Sequence, residues 1–175
     1  MRRTVVPALL VACAVLVGGC GFRLQGSTPL PAVVATVQLD AADDRTPFAQ
    51  ALRRRLGASG ATLAPRGATV SGASGAAGAA SGVAVLRIER DEVLERVTSV
   101  SARNIPREYE LTQVVRISLD AGGTRRISSA EVSASRSLTF DERRALAKER
   151  EREQLRETLA DEVAGVVLQR VAGLR

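Results

Sequence analysis

From Val83 to Ile88 apolar and polar positions take turns along the chain. Ala84, Leu86 and Ile88 fall on one side and Val83, Val85 and Arg87 on the other, the period of a half-buried strand. One long strand is predicted over 83–100, with a bulge near Asp91. A second is predicted over 107–119, where Tyr109, Leu111, Gln113, Val115, Ile117 and Leu119 share a face opposite Glu108, Glu110, Thr112, Val114, Arg116 and Ser118. Asp120-Ala121-Gly122-Gly123 reads as a turn. A third strand over 125–140 turns Ala130, Val132, Ala134, Arg136, Leu138 and Phe140 inward, and Glu131, Ser133, Ser135, Ser137 and Thr139 outward. Consecutive strands with short connections predict an antiparallel meander.

Other segments follow a helical period. Thr46-Pro47 is a helix start, with Thr46 as N-cap, and Phe48, Leu52 and Leu56 then line one face. Gly57 is expected to close that helix, and Arg53, Arg54 and Arg55 crowd its carbonyl end, either as a solvated terminus or as a polyanion contact. Ahead of it, Ser27-Thr28-Pro29-Leu30-Pro31 reads as an extended connector and 33–39 as a first strand. A long helix is predicted from Asp141 to about Ala172, its stripe running through Leu155, Leu159, Val163, Val166 or Val167, and Arg170. Glu149, Arg150, Glu151, Arg152 and Glu153 form its solvated face, acid and base interleaved. Residues 64–82 are nearly all Ala, Gly and Ser, a flexible loop inserted in the domain. The whole predicts a single domain over 33–175. Its class is α+β, a two-layer sandwich with two helices on one face of a four-stranded, mostly antiparallel sheet.

Composition changes this picture in two ways. The 175 residues are 45% hydrophobic but only 2% aromatic, so the core must be aliphatic. The formal charge of +6 is carried almost entirely by Arg, Lys148 being the only lysine, and it admits a membrane surface, a nucleic acid or another polyanion as partner.

The N-terminus narrows that choice. Arg2 and Arg3 precede an apolar stretch from Thr4 to Val17 that is too short to span a bilayer comfortably, as in a secretory signal. It ends in Val17-Gly18-Gly19-Cys20, the pattern of a bacterial lipobox, so residues 1–19 are expected to be cleaved and Cys20 to become the acylated N-terminus of a connector over 20–32. Leu10-Val11-Ala12-Cys13 also fits a loose lipobox but leaves almost no hydrophobic region before it. Cys13 leaves with the leader, so no intramolecular disulfide survives maturation. Acyl chains contribute roughly 0.8 kcal/mol per buried CH₂, and more than one gives lasting attachment. Gly21 after the Cys, rather than Asp, directs the expectation to the periplasmic face of the outer membrane and away from nucleic acid.

Catalytic chemistry is not in evidence. With no His, and Cys20 acylated, Ser-His and Cys-His dyads and the usual zinc sets are excluded. The Gly-rich stretch lacks the Gly-Lys-Ser/Thr ending of a phosphate loop. No enzyme and no cofactor are expected beyond the covalent lipid on Cys20.

Cys20-Gly21-Phe22-Arg23-Leu24-Gln25-Gly26, Leu30-Pro31, Arg103-Asn104 ahead of Glu108-Tyr109-Glu110-Leu111, and Ala145-Leu146-Ala147-Lys148 opening a charged helix come in an order that resembles the LptE family of LPS-assembly lipoproteins. The resemblance implies two helices on a four-stranded sheet. It also implies a lipoprotein lodged in the lumen of the LptD β-barrel of the outer membrane, plugging it, helping it assemble and binding lipopolysaccharide. By motif position the lipopolysaccharide-binding candidates are Arg103 and Lys148, whose side chains can each donate charge-assisted bonds to phosphate. The competing expectation is a free-standing glycolipid carrier with an enclosed apolar cavity and no barrel partner.

Overall fold

The computed structural model describes residues 29–67, 82–139 and 145–174. The leader, Cys20 and most of the connector lie outside the described residues, as do 68–81 of the Ala/Gly/Ser stretch, Phe140 and Asp141. Five strands, β1 (Thr36–Ala41), β2 (Thr62–Ala64), β3 (Ala84–Val100), β4 (Pro106–Ala121) and β5 (Thr124–Thr139), form one sheet in the order β2-β1-β3-β4-β5. Two helices, α1 (Pro47–Ala58) and α2 (Ala145–Ala172), cover one of its faces. The α+β class and the two layers agree with the sequence reading. The sheet has five strands rather than four, because β2 is only three residues long and too short to show an alternation. It occupies 62–64, so the segment read as a loop from 64 begins inside a strand.

β3, β4 and β5 are antiparallel as expected, whereas β1 runs parallel to both β2 and β3. β1 starts later than predicted: Ala32–Val34 form a 3-10 turn closed by the Val34 amide donating to the Pro31 carbonyl at 2.9 Å. The β-branched pair Val33-Val34 suggests a strand, but the turn still sends Val34 into the core. At the head of α1 the Thr46 hydroxyl accepts from the Ala49 amide at 3.1 Å, with Pro47 in the first turn, and Phe48, Leu52 and Leu56 are fully buried. Gly57 does not close the helix. It continues to Ala58, and the left-handed residue that ends it is Gly60 (φ +84°).

The bulge in β3 falls between Ile88 and Arg90, slightly earlier than predicted, and it resets the phase of the strand. Ala84, Leu86 and Ile88 face the helices before it; Asp91, Val93, Glu95 and Val97 face that side after it, opposite Val115, Gln113, Leu111 and Tyr109. β4 and β5 are joined through Gly122 and Gly123, both at positive φ, a two-residue turn that matches the twist of the flanking strands.

On α2 the buried stripe is Leu159, Ala160, Val163, Ala164, Val167, Leu168 and Val171. Of the two valines left open by the sequence, Val167 is inside and Val166 outside; Arg170, placed on the stripe, is exposed instead, because the buried row passes through Val171. α1 and α2 approach closely where α2 offers Ala160, Ala164 and Gly165. A Cβ on Gly165 would lie 3.3 Å from the Arg55 guanidinium. Arg55 reaches across to Asp161 with two bonds, Nε to Oδ1 at 3.1 Å and Nη2 to Oδ2 at 2.5 Å. The arginine triplet is therefore neither wholly solvated nor wholly free for a ligand: Arg53 pairs with Asp44 at 3.0 Å, Arg55 ties the helices together, and Arg54 is exposed.

Candidate functional site

Two ends of the sheet differ. Near the turn at Gly122, the strands carry both helices and the main core; beyond the bulge, β3, β4 and β5 continue as a three-stranded arm covered by α2. A small cluster of Leu111, Leu138 and Leu159, with Ala134 and Leu155 against it, holds the helix to this arm. One helical step further toward the N-terminus of α2, Arg152 lies over the Tyr109 ring at 5.5 Å from its centre. Its guanidinium also meets Glu149 at 2.9 Å and Glu95 of β3 at 3.5 Å, leaving the side chain only 17% exposed. The charged run Glu149 to Glu153 is thus not a purely solvated face. The guanidinium of Arg152 itself lies over the aromatic ring, so one cationic group joins the helix to both strands of the β3–β4 hairpin.

Lys148 stands one turn before Arg152, on the side of α2 nearer the β3–β4 loop. It is half-buried and donates to Glu151 at 2.7 Å. The loop itself, 101–105, is tightly built: the Ser101 amide donates to the Ile105 carbonyl at 2.7 Å, the Asn104 amide to the Ser101 carbonyl at 2.9 Å, and the Ile105 amide to the Ser101 hydroxyl at 3.1 Å. Asn104 takes the left-handed conformation that turns the chain (φ 60°), which Asn tolerates better than most side chains. This places Arg103 at the exposed apex, with no ion pair to any described residue. Arg107, just inside β4, is likewise exposed and unpaired among the described residues.

The structure therefore brings Arg103 and Lys148 to the same end of the molecule but in unlike states. Arg103 is a fixed-backbone, open guanidinium able to take a phosphate or carboxylate bidentately, while Lys148 must exchange Glu151 for any anionic ligand. Sequence reasoning missed Arg107 and Arg152. The i, i+4 spacing of Lys148 and Arg152 was the available signal, since it puts both on one face of α2.

The face of the sheet away from the helices is an ion-paired lattice. Asp40 and Arg87 meet at 3.1 Å, Arg87 and Asp120 at 3.9 Å, Asp120 and Arg125 at 2.8 Å, Arg90 and Glu92 at 2.6 Å, Arg116 and Glu131 at 2.7 Å. Hydrogen bonds from Arg125 and Arg90 hold the carboxyls of Asp120 and Glu92 below the usual carboxylate range. Beneath these long side chains Val114 and Ser118 of β4 are buried. At the far edge, Leu39, Leu63 and Pro65 with Asp44, Arg53 and Arg66 border a shallow cleft of about 300 Å³, in which Asp44 already receives both arginines.

Among the described residues no group of acidic, Cys or His side chains could hold a metal ion, and no helix is long and apolar enough to cross a membrane.

Two helices on one face of a mixed sheet is an architecture shared with solved bacterial lipoproteins. The rare lipoprotein B of Shewanella oneidensis superposes with a TM-score of 0.62 at 25% identity, over 78% of this chain and 93% of that one. A lipoprotein B of Nitrosomonas europaea gives 0.64 at 23% identity, over 87% and 90%. The sequence model of the family described as LptE, Lipopolysaccharide-assembly, matches residues 34–171, and the chain belongs to that family. Proteins named LPS-assembly lipoprotein LptE from Yersinia enterocolitica (serotype O:8) and Yersinia pestis (strain Pestoides F) are 26% and 24% identical to it over 164 residues, 94% of this chain and 73% of each of theirs. As a member of that family it takes part in lipopolysaccharide assembly and is not an enzyme.

Proposed function

We infer that the mature chain is held by lipid on Cys20 at the periplasmic face of the outer membrane, lodges in the lumen of an LptD-type β-barrel, and contacts lipopolysaccharide through Arg103 and Lys148. The observation that carries the binding site is the open guanidinium of Arg103 at the apex of a hydrogen-bonded loop, with Lys148 on the adjoining end of α2. A phosphorylated glycolipid supplies the charge that Arg103 does not find among the described residues. The plug assignment draws on family membership and on the open face of the sheet, whose paired charges suit the polar lumen of an outer-membrane barrel.

The carrier alternative asks for a hollow interior. The space between sheet and helices is instead filled by Phe48, Leu52, Leu86, Leu119 and Val163, each at most 1% exposed.

Affinity purification of the tagged full-length protein from detergent-solubilised outer membranes, with mass spectrometry of the partners and of the N-terminal peptide, tests the assignment. The expected result is a large β-barrel in equal stoichiometry and an acylated Cys20. Acylated protein recovered alone favours the carrier.

A further inference from the structure

β1 accompanies β3 only as far as Ala41 opposite Ile88, then turns away into α1. Beyond that point, from Glu89 to Val100, no described strand pairs with this side of β3. The lane that β1 leaves is ~40 Å long at the rise of an extended chain. Its backbone donors and acceptors are the template that an added strand completes. The side chains along it are unusual for an exposed edge: Val93, Leu94, Val97 and Val100 are all large, apolar and exposed. Val93 and Val97 lie on the helix side and Leu94 on the opposite side, so apolar surface is offered on both faces of the lane.

The charges along the lane select what fits. In a chain of net charge +6, this stretch is acidic, with Glu89, Asp91, Glu92 and Glu95 against Arg90 and Arg96. Arg90 is engaged by Glu92 at 2.6 Å and Arg96 by Glu110 at 2.8 Å, while Glu95 meets Arg152 of α2 at 3.5 Å, so Glu89 and Asp91 carry the negative charge that no ion pair among the described residues offsets. Asp91 accepts from Gln113 through one carboxylate oxygen, while the other is shielded from solvent with no hydrogen bond from any described residue. The opposite edge of the sheet, β5, has the reverse balance, Arg125, Arg126 and Arg136 against Glu131.

We propose that the free edge of β3 from Glu89 to Val100 is a docking site for an extended segment of a partner polypeptide, one with basic and apolar side chains at alternating positions, which adds to the sheet in the lane beyond β1. That the donor is the barrel rests on the plug assignment; the chemistry of the edge does not.

The test uses the full-length lipidated protein in detergent micelles, isotope-labelled for amide spectra, and two end-blocked synthetic probes: an alternating Val-Lys peptide and its Val-Glu counterpart. The expected result is saturable shifts of the amides of residues 89–100 with the Val-Lys probe, and binding about tenfold weaker for Val-Glu, as repeated cross-strand charge pairs would give. Val93→Lys/Val97→Lys, both at exposed positions, should abolish those shifts while leaving the melting temperature unchanged. Equal binding of both probes, shifts at β5 as large as those at β3, pairing of β3 with a second copy of this chain, or no shifts at all would each overturn the proposal. Co-purification of a barrel without probe binding at β3 refutes the edge and leaves the plug standing; probe binding without a barrel does the reverse.

Discussion

The two ends of the sheet are stabilised differently. Near Gly122 the strands lie under both helices, and an aliphatic core runs from β1 through α1 to the C-terminal half of α2. Beyond the bulge, the arm depends on a few leucines, the Arg152–Tyr109 contact and scattered ion pairs, with no described strand along one edge of β3. The first end is built for stability and the second for exposure. Cationic groups and open backbone gather where the fold has least hydrophobic support, as expected of surfaces that meet partners.

The comparison can be broken by removing one large side chain from each end. Phe48→Ala, in the main core, should cost about 3–5 kcal/mol in urea unfolding, with loss of the whole fold. Leu138→Ala, in the arm, should cost about 2–3 kcal/mol. In hydrogen exchange its effect should concentrate in 106–112 and 133–139. Equal acceleration near Ile117 and Leu119 would mean that the two ends unfold as one unit.

A smaller effect is expected at the helix pair. The Arg55 hydrogen bond holds the Asp161 carboxyl below its ordinary value of 3.8. The folded state thus binds the proton less well than the unfolded chain, and the stabilisation is present above the unfolded value and lost as pH falls through the folded one. Both side chains are more than a third exposed, so solvent screening limits Asp161→Asn to about 0.5–1 kcal/mol at neutral pH. Thermal melts at pH 7 and near pH 2 should show a gap between parent and variant that closes in acid; a gap that persists would assign the loss to packing instead.

The smallest effect on stability should come from Arg103→Glu/Lys148→Glu, within about 0.5 kcal/mol, because both positions lie outside the core. The same variant should lose most of its affinity for lipopolysaccharide. Unchanged binding would remove these residues from the site.

Alternation is readable where apolar and polar positions take turns, and β4 shows its inner row from Leu111 to Leu119 as the sequence predicts it, although Val114 and Ser118 on its other face are buried under long side chains. β2 escapes because three residues carry no period, and the parallel partnership of β1 escapes because pairing direction leaves no mark on hydropathy. Arg103 and Lys148 came from motif position. Their shared end of the molecule becomes visible only once the length of the β3–β4 hairpin and the direction of α2 are known. Arg152 reads as one more charge on a helix face, since nothing in its own segment reveals that Tyr109 lies beneath it.

The parallel alignment of β1 with β3 also orders events in time. β4 and β5 meet across Gly122-Gly123, so their ladder can zip from a local turn within microseconds, the scale of hairpin formation. Val37 can reach Ala84 only after the chain between them, with α1 and the Ala/Gly/Ser stretch, has been gathered in, a distant closure that comes late. β1, the strand nearest Cys20, thus joins the hairpin late, and β2, which pairs only with β1, can enter the sheet no earlier.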